Sequence, residues 1–247
     1  INQNWYSIAV EVMPHFDIDS LLLAVEARED TMKGKYQYAH KISINISAGN
    51  SGNWISISDI GKIWCIRIKS DNAIMLDINF SNFYLPQGTK LWVFGKNINL
   101  LKGPLTFHNN QLHGQKVLSF LQGDEIALIY FQPDSVTEPY QLQINKIFHG
   151  FREPFDNITG KVSGSSSLSC EENVYCINYT PPSEIIDNDV RAVFKISLAG
   201  FTCSGALLNT RNNTLEPIFL TARHCIHKGK FGQGGLEDLN SMCFFFN

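Results

Sequence analysis

A hydrophobic period of two, returning at short intervals, constrains this 247-residue chain more than any other feature. Ile42, Ile44 and Ile46 alternate with polar residues, and the same alternation recurs at Ile63–Ile68, Ile74–Phe80, Leu91–Phe94, Ile126–Phe131 and Leu142–Phe148. Turn chemistry separates these runs: Asp71-Asn72, Pro86-Gln87-Gly88 and Gln122-Gly123-Asp124. Successive strand residues point to opposite faces, so segments of this kind must pair into sheets with one face buried. No alternation of strands with helical stretches is present, which predicts a mostly β chain built on a β-sandwich or jelly roll. One segment has another period. Ile18, Leu21, Leu22 and Val25 fall at helical spacing within 17–30, with Asp17 ahead as N-cap and Asp19 complementing the dipole. Before this single helix, Trp5–Met13 reads as extended.

Composition narrows the class. At 44% hydrophobic and 17% charged, the chain suits a packed globule and not a disordered tail. A net charge of −3 implies no basic face, so nucleic acid is not an expected partner. No apolar run approaches the roughly 20 residues of a membrane-spanning helix, so no membrane association is expected either. Of six cysteines, only Cys65 precedes residue 169; Cys170, Cys176, Cys203, Cys225 and Cys243 follow it. That asymmetry predicts a disulfide-bearing C-terminal unit joined to a domain that folds without bridges. It also predicts an oxidising compartment, either extracellular or periplasmic. Cys65, between Trp64 and Ile66 in an alternating run, reads as a core thiol.

Periodicity stops between residues 153 and 168, where Pro, Asp, Asn, Gly and Ser dominate. The expected organisation is therefore an N-terminal sandwich over 1–152, a linker over 153–168 and a second β unit over 169–247. Strands of the second unit are expected at Val190–Leu198, Thr202–Leu208, Pro217–Ala222 and Met242–Phe246. Gly229–Gly235 is glycine-rich but lacks phosphate-loop or dinucleotide spacing, so no cofactor is implied.

Residues 201–226 carry the chemistry. Phe-Thr-Cys-Ser-Gly-Ala-Leu-Leu leads through a polar turn to Ile-Phe-Leu-Thr-Ala-Arg-His-Cys-Ile, two apolar runs with a cysteine in or beside each. This fits a hairpin that holds His224 at the end of a buried strand. The segment resembles the catalytic-histidine region of trypsin-like serine peptidases. Ser-Leu-Ser-Cys-Glu-Glu-Asn-Val-Tyr-Cys at 167–176 narrows the resemblance to lysyl endopeptidase-like proteins. Met13-Pro14, Phe16-Asp17, Ala48–Trp54, Leu85–Trp92 and His149–Arg152 look like the domain that precedes the catalytic domain in that family. The resemblance implies a secreted endopeptidase made as a zymogen, acting as a monomer on protein or peptide substrates, with cleavage after Lys as the family's suggestion. Its N-terminal domain would be the intramolecular partner. The resemblance also implies that Cys203 and Cys225 bridge beside His224, the general base. Cys170 and Cys176 would pair with cysteines further downstream than residue 247, and Cys243 has no assigned counterpart.

In the triad mechanism, His takes the serine proton and a buried Asp fixes its tautomer. These arrive in the order His, Asp, Ser in trypsin-like chains, yet after His224 only Asp238 occurs, too soon for the triad, and no Gly-Asp-Ser-Gly follows. The expectation is a chain that stops before its catalytic set is complete and is inactive by itself. Gly49-Asn50-Ser51-Gly52 mimics a nucleophile motif but precedes His224 and has turn composition. His224, Cys225 and His227 crowd together without the spacing of a zinc site, so no metal is expected. The rival reading is a non-catalytic secreted β module that binds protein or glycan through aromatics such as Trp5, Trp54, Trp92 and Tyr84.

Limited proteolysis should cut first within 153–168. Maturation of the longer protein is expected after Lys161, leaving Val162 as the new terminus; N-terminal sequencing that places the cut elsewhere rejects that site.

Overall fold

The computed structural model describes residues 5–29, 36–96, 100–154, 191–212, 214, 216–228, 236 and 238–246. Cys170, Cys176, the 155–168 part of the expected linker with its Lys161–Val162 bond, and Gly229–Gly235 lie outside the described residues. The fold is mostly β. Three sheets carry it, and none of them closes into a barrel among the described residues.

The first sheet joins β1 (Val10–Val12), β5 (Gly61–Lys69), β10 (Glu125–Pro133), β7 (Lys90–Gly95) and β8 (Leu101–Leu105) in that order, with β4 (Asn53–Ile57) also on β5. The second has the order β3 (Ala39–Ser47), β11 (Gln141–Gly150), β6 (Met75–Tyr84) and β9 (Lys116–Gln122). Their inner faces interdigitate in one cluster. Trp64, Ile66 and Ile68 of β5 and Ile126, Leu128 and Tyr130 of β10 meet Leu76, Ile78 and Phe80 of β6 and Ile144 and Ile147 of β11. Each such side chain stabilises the fold by roughly 1.5–3 kcal/mol when fully buried. Alternation slips once on β11, where a register shift between Ile144 and Lys146 moves the inward residue from even to odd positions.

The helix α1 (Ile18–Glu29) starts where the sequence places it. Asp17 accepts from the Asp19 amide at 3.2 Å and from Ser20 Oγ at 2.6 Å. Trp5–Ser7, by contrast, is a 3-10 turn and not extended. Trp5 is drawn inward because its indole N–H reaches the buried Glu125 carboxylate at 3.1 Å. Arg67 holds the same oxygen at 2.5 Å and Lys96 the other at 3.2 Å. Burial pushes the Glu125 carboxyl up, but these donors outweigh it and hold the group below its usual range. β8 and β9 escaped the sequence reading for local reasons. β8 contains Gly103-Pro104, and β9 breaks alternation at Phe120, whose φ is 56°.

A third sheet has the order β14 (Ile218–Thr221), β13 (Phe201–Leu208), β12 (Val193–Leu198) and β15 (Cys243–Phe246). A short strand from the N-terminal half, β2 (Tyr36–Gln37), pairs with Phe201 and Thr202 of β13. The register puts Lys195, Ser197, Cys243 and Phe245 on one face of this sheet, and that face meets the outer face of the second sheet. Phe245 stacks on Phe120 at 4.5 Å, and Ser119 Oγ donates to Cys243 Sγ at 3.6 Å.

Asp77 lies under this third layer, 2% exposed. Its carboxylate accepts from the Tyr38 hydroxyl and from the Phe120 amide at 2.7 Å, and the Tyr38 hydroxyl also lies 2.8 Å from Ser197 Oγ. Desolvation raises the Asp77 carboxyl to about 6 despite these bonds and the Lys102 charge. Desolvation and the neighbouring Asp77 charge likewise push the Tyr38 phenol well up. A second buried group shifts the other way. His149 has Nδ1 2.8 Å from Ser70 Oγ and, among the described residues, no hydrogen-bond partner for Nε2, and burial lowers it to about 4, with His40 and His15 adding to the effect.

The two groups oppose each other in linkage. Asp77 keeps a proton in the folded state that the unfolded chain has shed, so its stabilisation is full below the unfolded pKa of about 3.9 and lost as pH rises through about 6. His149 refuses a proton that the unfolded chain accepts, so its contribution is full above about 6.5 and lost as pH falls towards 4. Each is worth on the order of 3 kcal/mol by the same relation. Relative to wild type, the urea midpoint of Asp77→Asn should climb between pH 4 and 6.5, and that of His149→Gln should decline. Parallel pH profiles for all three proteins would refute the assignment.

Candidate active site

β13 is the scaffold strand. It pairs with β12 along Val193–Leu198 and with β14 from Gly205↔Thr221 to Leu208↔Ile218. Gly205 is required where the three strands crowd: a Cβ there would stand 2.7 Å from Phe194 Cζ and 2.8 Å from the Leu220 carbonyl. Thr221 ends β14 with its hydroxyl donating to the Ser204 carbonyl at 2.8 Å. Ala222 then leaves in extended conformation and the chain turns into α2 (Arg223–Ile226). The turn closes with the Cys225 amide on the Ala222 carbonyl at 2.9 Å and the His227 amide on the Arg223 carbonyl at 3.2 Å.

His224 thus sits on a single helical turn and not at the end of a strand, and β14 is exposed, not buried. The disulfide accounts for the change of direction. Cys203 on β13 and Cys225 on α2 are bonded, with Cα atoms 5.9 Å apart, within the span a disulfide allows. Continued straight, β14 would set Cys225 opposite Phe201, two residues from Cys203 and on an edge that β2 already pairs, so pairing stops at Thr221 and the next residues coil back. The bridge and the Thr221 hydroxyl hold the turn on both sides of His224.

The His224 ring is half-buried, and no hydrogen bond reaches it among the described residues. Its ring nitrogen and the two sulfurs lie within 4.8 Å of one another, but the sulfurs are bonded to each other, so neither offers a thiolate to a metal. Asp238 is engaged elsewhere, its carboxylate accepting from the Asn240 amide at 3.2 Å to start a 3-10 turn. Ser51 lies in the turn between β3 and β4, its hydroxyl donating to Asn50 Oδ1 at 3.0 Å, not to an imidazole. The site therefore presents a positioned imidazole that no side chain among the described residues engages by a hydrogen bond. Cys243 is a free thiol among the described residues, raised by burial, and lies on the opposite sheet face from Cys203.

The sequence reading missed the aromatic face next to this turn. Phe194 contacts Phe219, Phe244 and Phe246 with ring centres 5.8, 5.3 and 5.1 Å away, and Phe219 meets Phe244 at 5.0 Å. Phe194 is buried, yet Phe219, Phe244 and Phe246 remain 39%, 40% and 51% exposed. The Phe244-Phe245-Phe246 run was the available signal, since one face of any strand through it must be aromatic.

Residues 164–246 match a family described as lysyl endopeptidase, C-terminal domain. The match covers the C-terminal third, which holds His224 and both bridged cysteines, and marks the chain as peptidase-related. No solved structure matches this chain.

Replacing Cys203 and Cys225 together by Ser should lower stability by about 3 kcal/mol, the chain-entropy value for a loop of this length. Urea unfolding with and without reductant measures it. The wild-type midpoint should fall in reductant while that of the double variant stays put; equal sensitivity in both would exclude this bridge as the cause.

Proposed function

We propose that this chain is part of a secreted serine endopeptidase in which His224 is the general base. The observation that carries the reading is the pinned turn: an imidazole on a one-turn helix, tied through the adjacent Cys225 to the neighbouring strand. A general base works only when its ring is held within hydrogen-bond reach of the nucleophile, and a bridge one residue away limits its wandering. In the reaction, His224 takes the hydroxyl proton of a serine as that oxygen attacks the peptide carbonyl. It then returns the proton to the leaving amine, while backbone N–H groups hold the oxyanion. Among the described residues no serine hydroxyl or carboxylate hydrogen-bonds the His224 ring, so those two roles fall to other groups. Two further features support the reading: the half-exposed aromatic face of the third sheet, and the unpaired outer edges of β14 and β15 among the described residues. Both are what a β-barrel wall shows before the remaining strands cover it. Preference for Lys, zymogen maturation and export from the cell follow from the family likeness and belong to this proposal.

The rival reading has one observation in its favour. An uncharged hollow of about 460 Å³ on the sandwich is lined by Tyr140, Asn82, Gln141 and Gln143, and Trp54 stacks beside it on Tyr140 at 5.7 Å. Aromatic and amide groups of this kind suit a neutral polar ligand. A binding hollow does not compete with catalysis at His224, and only the catalytic reading makes His224 essential for turnover.

Residues 1–247 alone should hydrolyse no peptide or lysine ester. A longer chain carrying the downstream coding sequence should do so, and His224→Ala should reduce it to the roughly 10³–10⁴-fold over water left by the oxyanion hole and binding. Esterase activity from residues 1–247 that is lost on Ser51→Ala would overturn the proposal.

A further inference from the structure

The third sheet is completed by the N-terminal half. β2 adds to the edge of β13 at Phe201 and Thr202, on the same side as β14, so the strand that holds Cys203 is paired along that edge from both halves of the chain. The amides of Tyr38 and Ala39 then share the Gly200 carbonyl at 3.0 and 3.1 Å. Gly200 accommodates this approach because it has φ of +85° and a Cβ there would lie 2.7 Å from the Ala39 carbonyl. Behind β2, Arg152 donates twice to the Gln37 carbonyl, at 3.0 and 2.6 Å, and lies 4.3 Å over the Tyr36 ring. Lys195 reaches back from β12 to the Pro154 carbonyl at 2.6 Å. The centre of the seam is Tyr38, fully buried, with its hydroxyl between Asp77 of the sandwich and Ser197 of β12.

From this geometry we infer that residues 36–154 are a permanent intramolecular partner of the sheet that bears His224, and that cutting the chain between residues 154 and 191 leaves the two parts bound as one particle. Separation would strip β13 of its β2 pairing, exchange the Tyr38, Gly200 and Ser197 hydrogen bonds for bonds to water, and uncover the apolar rings of Tyr38, Phe148, Phe120 and Phe245 packed in the seam. Returning that apolar area to water is unfavourable, and the bonds it shields are stronger there than in solvent. A module that was only tethered would instead present charged, solvated surfaces where the two parts meet. The inference stands whether or not His224 is catalytic, since it concerns the face of the third sheet opposite to the aromatic one.

The test inserts a site-specific protease sequence after Gly164 in the full chain, cleaves it, and follows the product by light scattering on a sizing column. The nicked protein should run at the mass of the intact one. Tyr38→Phe removes both hydroxyl bonds and should raise the dissociation constant of the nicked pair by about tenfold or more. Tyr84→Phe, whose hydroxyl bonds the exposed Glu138, should leave it unchanged. Hydrogen exchange gives a readout that needs no variant: the Tyr38 and Ala39 amides should stay as protected after nicking as before. Separation of the nicked wild type into two species overturns the inference. So does loss of that amide protection on nicking, or a Tyr38→Phe pair that holds together as tightly as wild type.

Discussion

A carboxylate buried between two sheets organises much of this molecule. Asp77 projects from the outer face of the second sheet, where an isolated sandwich would leave it in water. The third sheet covers it, and its charge is then met by a phenol, a backbone amide and the field of Lys102. Few arrangements satisfy a buried carboxyl, so the register of every element that supplies a donor is tied to it. Phe120 enters the left-handed region to aim its amide at Oδ1, and Tyr38 sits where β2 ends and β3 begins. Buried polar groups with complete partners specify one packing, because any slip leaves a group unpaired in an apolar seam.

From that seam the order passes to β13. One end of the strand is paired with β2 and the other with β14, and Cys203 lies between the two pairings. The bridge from Cys203 then holds the turn that carries His224. The imidazole is therefore fixed through a chain of short-range constraints: the seam places β13, β13 places the sulfur, and the sulfur places the turn. The opposite face of the same sheet is aromatic and only half covered, so the sheet is finished on the side towards the sandwich and open on the other.

Much of this was legible in residues. Period-two alternation identified β3, β5, β6, β7, β10 and β11, because burial of one face forces that pattern. Asp17 marked the helix start, since its side chain can cap the first free amides. The strands that escaped were edges. Leu-Lys-Gly-Pro-Leu of β8 and the broken alternation of β9 obey sheet pairing but not the burial rule that makes strands visible. The direction of the chain after Thr221 was hidden for another reason: a strand and a one-turn helix fit Thr-Ala-Arg-His-Cys equally well until a distant sulfur selects one.

The sequence by itself determined the strands with one buried face, the helix after Asp17, the clustering of cysteines in the C-terminal part and the presence of a histidine in a peptidase-like setting. These rest on local rules, in which side-chain period, cap chemistry and residue type act over a few positions. Tertiary structure decided what each face would meet. Asp77 and Asn79 alternate with Leu76, Ile78 and Phe80 and so read as the wet side of a strand, yet both are 2% exposed. Alternation says which residues share a face; it cannot say that another sheet, more than a hundred residues away in the chain, will close over that face.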